Sequence, residues 1–161
     1  MRILKILGGI VAALLLCVAG MFVAARFLDG PLAIIPGGPL ASGELVSSPI
    51  RNWDFAESVE TIDLQLAEDR TSRTTWILVS DGRAFIPCSL GFPPGKNWHF
   101  RADRDGRAII RVLGKRYPIT LKRLNNSTLE SKLKEIVSSK YGTAPRSDAG
   151  VWFFAVESRA S

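Results

Sequence analysis

The sequence predicts an α+β fold: a small six-stranded β-barrel covered by two helices, carried behind one N-terminal transmembrane helix. Three observations predict it. Residues 6–25, ILGGIVAALLLCVAGMFVAA, contain no charge. Between residues 59 and 158, six short segments alternate or run apolar in β-branched and aromatic residues, and Asp81-Gly82 is a two-residue hairpin signal. Two other stretches, 96–105 and 125–142, carry helical spacing and interrupt the strand series. Six short strands with two interrupting helices suggest a barrel whose helices cover its open ends.

The elements follow in order. The 20 uncharged residues of 6–25 span about 30 Å as a helix, the thickness of a bilayer core. A helix apolar all round is hard to bury in so small a domain. Residues 1–28 therefore read as a transmembrane anchor, with a cleaved signal peptide as the rival: Arg2 and Lys5 suit its basic start and Val23-Ala24-Ala25 its cleavage site. The run exceeds the usual hydrophobic region of a signal peptide, which favours the anchor. Leu16 precedes Cys17, where lipid attachment would need a small residue. Arg2 and Lys5 before the span outweigh Arg26 after it. The expected topology is a single pass through the cell membrane, with the C-terminal domain on the extracytoplasmic side.

Residues 29–50 read as a linker, because 29–44, DGPLAIIPGGPLASGE, is rich in glycine and proline; it is expected to lift the domain off the bilayer. Residues 51–161 read as the barrel domain. VETIDLQLA (59–67) alternates, with Ile62, Leu64 and Leu66 on one face. TTWILVS (74–80), the Asp81-Gly82 turn and RAFIPCSL (83–90) form a hairpin. Pro87 cannot donate to a ladder, so its strand is an edge there or bends. Asn97 is a candidate N-cap for a short helix over 96–105, with Trp98 and Ala102 on one face. RAIIRVLG (107–114) and KRYPITLKRL (115–124) form a second hairpin. In 125–142, Ser127 and Glu130 make a capping box, Leu129, Leu133, Ile136 and Val137 line one face, and Gly142 sits at the C-terminal cap. VWFFAVES (151–158) closes the series as a strand.

This run of elements, with DGRAFIP leading to G-F-P-P-G-K-N-W-H and then the hairpin R-A-I-I-R-V-L-G-K-R-Y, resembles the flavin-binding split barrel. That is the fold of pyridoxamine-phosphate oxidases and of deazaflavin-dependent nitroreductases. The resemblance covers about residues 55–158. It implies a split-barrel domain holding FMN or a deazaflavin, and an oxidoreductase activity. A flavin phosphate needs cations and backbone N–H groups. On this reading Lys96 pairs with a phosphate, Trp98 or His99 borders the ring, and Arg73 and Ser89 assist near strand ends. A second reading has Lys96 solvated, Trp98 as a hydrophobic plug and His99 bonded to a carbonyl.

Other function classes are argued against. Residues 30–161 hold 18 of the 21 Lys and Arg and 14 of the 15 Asp and Glu. A net +4 scattered along the chain is a solvated surface, not a nucleic-acid footprint. One histidine and two cysteines, one of them in the span, offer no metal site and no internal disulfide, so Cys88 reads as a small buried hydrophobe. No G-x-S-x-G, P-loop or G-x-G-x-x-G occurs. Two functions stay open: a flavin or deazaflavin redox enzyme, and a cofactor-free binding or scaffolding module at the bilayer surface. The partners considered are the lipid bilayer, a flavin-type ligand and a second copy of the chain as a homodimer.

Overall fold

The structure, a computed structural model, describes residues 2–142 and 150–160; Met1, residues 143–149 and Ser161 lie outside the described residues. Helix α1 (Arg2–Ala25) contains Lys5–Ala25, a stretch of 21 residues with mean hydropathy 2.7, in which Ala25 at the C-terminal end is buried against the protein. By length and composition it can cross a membrane.

The strands are β1 (Thr61–Leu66), β2 (Arg73–Trp76), β3 (Leu78–Ser80), β4 (Arg83–Ser89), β5 (Arg107–Val112), β6 (Lys115–Arg123) and β7 (Val151–Ser158). All pairings between them are antiparallel, in the order β2-β1-β5-β6-β7-β4-β3. The two ends of that order are one stretch of chain. Residues 73–76 pair with β1 and residues 78–80 pair with β4, so the run nearly closes the sheet into a barrel.

The strand count is therefore seven where the sequence predicts six, because TTWILVS divides at Ile77. The chain changes partner there, and the Ile77 carbonyl leaves the ladder. It instead accepts from Lys140 Nζ (3.1 Å) and the Tyr141 hydroxyl (2.9 Å) of α3 (Ser127–Tyr141), so the backbone group remains bonded. Pro87 lies just past the last β3–β4 pair, Leu78 with Phe85, where β4 keeps only β7 as a partner. A missing N–H costs nothing on an open flank.

Alternation fills the barrel. Leu64, Ile86, Ile110, Ile119 and Phe154 point inward and are fully buried. One end is closed by Trp53 and Ala56 beside a short 3-10 turn (Asp54–Ala56), the other by Trp98 and Ala102 of α2 (Trp98–Arg104). Outside the barrel, Leu133 and Val137 of α3 pack on Leu78, Phe85 and Phe153, forming a second core over β3, β4 and β7. The two hairpin turns need left-handed backbone: Asp81 and Gly82 at φ 53° and 70°, Leu113 and Gly114 at φ 48° and 76°.

Two caps differ from expectation. The cap of α3 is Asn126, not Ser127: Asn126 is extended, and its Oδ1 accepts from the Leu129 N–H at 3.0 Å. Asn97 precedes α2 but makes no side-chain cap bond; its Oδ1 accepts from Arg101 at 3.0 Å. Gly142 does cap α3, at φ 66°.

Residues 29–50 do not hang free. Asp29 accepts from Arg111 of β5 at 2.9 Å, and Arg111 also binds Asp63 of β1 at 3.0 Å. The Leu40 N–H donates to Gln65 Oε1, Gly37 pairs with Ser72, and Leu45 bridges to Arg116. Gly37 and Gly38 permit this. A Cβ on Gly37 would lie 1.7 Å from the Gly30 carbonyl oxygen, and one on Gly38 2.4 Å from that of Leu28. A strap bound along β1, β5 and β6 replaces the expected spacer.

Candidate functional site

The residues singled out from the sequence meet at the end of the barrel that α2 closes. β4 ends in Cys88 and Ser89, and the chain then turns through Gly91–Asn97 before entering α2. Phe92–Pro93 is a cis peptide bond and Gly95 has φ +76°, so the turn is tight. The Lys96 ammonium folds back to donate to the Phe92 carbonyl. Lys96 itself is half-buried.

Trp98 is only 5 % exposed and packs 5.7 Å from the ring of Phe154. The Arg73 guanidinium lies 5.6 Å from its centroid, within reach of a cation–π contact. Arg73 starts β2, where the strand carries it to the α2 end, and it donates to Asp69 at 2.7 Å. Arg101, one turn along α2, donates to the same Asp69 oxygen at 3.0 Å. Two guanidinium groups thus share one carboxylate, and the Nε atoms of both are buried without a partner. Burial holds Arg73 below its ordinary value, with Asp69 pulling it back up.

His99 is 3 % exposed. Its ring lies between Phe100 (4.1 Å) and Trp152 (5.2 Å), and its Nδ1 has no partner. Burial lowers its pKa first, and the Lys96 charge lowers it further. Arg123 stacks 3.6 Å over the Trp152 ring. Cys88 is buried, as its reading as a small hydrophobe expects; burial raises its thiol while Lys96 and Arg73 draw it down. Ser89 ends β4, half-buried, opposite Val151 of β7.

Arg73, Ser89, Lys96, Trp98 and His99 are thus gathered in one place, but in two environments. Lys96 and the edges of Arg73 reach solvent, whereas Trp98 and His99 belong to the packed interior. Trp98 takes the position of a plug. Sequence reasoning missed Asp69, Arg101, Trp152 and Arg123. Only the Asp69–Arg73 spacing of four hinted at a pair; the others come from elements far apart in the chain.

No family model matches the chain, and no curated protein matches it in sequence. Among solved structures, it is similar to a Listeria innocua protein described as a "Putative Pyridoxamine 5'-phosphate oxidase". The likeness has a TM-score of 0.51 at 9 % identity and covers 66 % of this chain and 89 % of that one. Identity this low shows the fold alone, and the fold is a split barrel.

Proposed function

We propose that this chain is a single-pass membrane protein whose extracytoplasmic split-barrel domain binds a flavin or deazaflavin at the α2 end and serves as an oxidoreductase of the nitroreductase type. The observation that carries the reading is the imbalance of charge there. Arg73, Lys96 and Arg101 stand over that end, and Asp69 is the carboxylate that Arg73 and Arg101 share. Buried guanidinium N–H groups without partners are an incomplete donor set, and a phosphate supplies the missing acceptors. In this arrangement Arg73 and Arg101 orient the phosphate and Lys96 adds a point charge. Trp98 is not the ring platform, because its face is already covered. The aromatic surface available to a ring is that of Phe92 and Phe100, both more than half exposed. A bound flavin would supply hydride transfer; the protein supplies charge, position and an apolar border.

A second reading has a specific observation in its favour. The barrel is filled by its own side chains and Trp98 plugs the end, which suits a cofactor-free binding or scaffolding module. Titrating the full chain in detergent with FMN and with a phosphate-bearing deazaflavin separates the two. The enzyme reading predicts saturable binding that Lys96→Ala weakens by about tenfold, or ~1.4 kcal/mol. Failure of both ligands to bind a chain with intact circular dichroism contradicts it and leaves the module.

A further inference from the structure

The strap after α1 carries an apolar hairpin that the barrel leaves uncovered. Leu32 and Ile35 exchange backbone hydrogen bonds (3.0 and 2.9 Å), with Ala33 at φ 51° turning the tip. Ile34 at that tip is 96 % exposed, and Phe27, just before the strap, is 85 % exposed. Leu28 and Leu32 are half exposed between them. Residues 30–43 contain no charge. Large apolar side chains in such a contiguous group mark a surface that something covers.

The fold fixes where this group sits. The Gly38 N–H donates to the Leu28 carbonyl at 3.0 Å, so the base of the hairpin is bonded to the chain leaving α1. Leu28 is three residues past Ala25, which keeps that base within about 11 Å of the helix end. Gly37 and Gly38 allow the close approach, and the Arg111–Asp29 ion pair fastens it to the barrel wall. Asp29, the anionic side chain nearest the hairpin in sequence, is thereby neutralised. Arg26, at the junction, has the charge that anionic headgroups attract.

We infer that the 31–36 hairpin is a second membrane-contact element, seated with Ile34 and Phe27 in the lipid interface beside the anchor, so that the barrel is docked on the bilayer and not suspended from it. This rests on the tether reading above. Apolar side chains buried in the headgroup and acyl boundary are a recognised mode of interfacial binding.

The test uses the full chain with Cys17→Ser, reconstituted in phosphatidylcholine–phosphatidylglycerol vesicles; Cys88 is buried and stays. An environment-sensitive fluorophore is placed at Ile34→Cys or, for comparison, at Lys134→Cys on the exposed side of α3. That helix covers β3, β4 and β7, across the barrel from the strap. The inference predicts a blue-shifted Ile34 probe quenched by nitroxide-bearing lipids, and a Lys134 probe quenched only by aqueous iodide. An aqueous Ile34 probe on a chain that floats with the vesicles overturns the docking and leaves the tether standing. Equal lipid quenching at both positions also overturns it. A chain that does not float with the vesicles removes the tether and the docking together.

Discussion

Trp98 shows how much a single side chain decides. Its indole closes the barrel end against Phe154, so its removal leaves a cavity the size of two fused rings. Trp98→Ala should destabilise the domain by about 3–5 kcal/mol, read from denaturant unfolding; a change below about 1 kcal/mol would mean the ring carries little packing. His99 gives a pH dependence. Burial depresses its pKa below 6.5, so the unfolded chain binds the proton more readily than the folded one. Its contribution is fully present above about pH 6.5 and is lost as pH falls from there through the folded pKa. Stability should therefore decline between pH 7.5 and 5.5, and His99→Asn should flatten that decline; an unchanged slope would contradict the assignment. The sequence showed Trp98 and Ala102 on one helical face. It could not show that the face points into the barrel, because that depends on Phe154, some fifty residues away.

Among the elements, α3 and the strap hold what the ladders leave open. Lys140 donates to the carbonyls of Glu57 (2.7 Å), Val59 (2.6 Å) and Ile77 (3.1 Å), and Tyr141 stacks on Trp76 at 4.1 Å. The end of α3 thus secures the point where the barrel strand changes partner. Lys140→Met should cost about 1.5–3 kcal/mol in thermal or denaturant unfolding, since charged hydrogen bonds are lost while the stem remains. Gly37→Ala forces a methyl group onto the Gly30 carbonyl and should cost about 1–3 kcal/mol, with a wild-type melting profile as the contrary result. Strand periodicity was legible wherever one face met the barrel interior, as in Ile62, Leu64 and Leu66. The break at Ile77 was not, because nothing local interrupts TTWILVS; the cause is a helix more than sixty residues away. The strap looked like a spacer because glycine and proline have that composition in both settings. Its partners Arg111, Gln65 and Ser72 lie elsewhere in the chain.

At the scale of the whole molecule, hydropathy and sheet topology together define a split barrel behind one N-terminal helix long and apolar enough to cross a membrane. The long apolar helix was fully legible, since it needs only length and the absence of charge. The candidate site was half legible: Lys96 and Arg73 announce cations near strand ends, but the meeting of Arg73 with Arg101 on Asp69 requires the closed sheet. The docked hairpin depends on the proposed tether, and an alkaline carbonate wash of membranes holding the full-length chain tests it most directly, with the N-terminal residue read by mass spectrometry. The account predicts that the chain stays in the membrane pellet with residues 6–25 still attached. Release into the aqueous fraction, with that segment retained or with the chain beginning after Ala25, would contradict it.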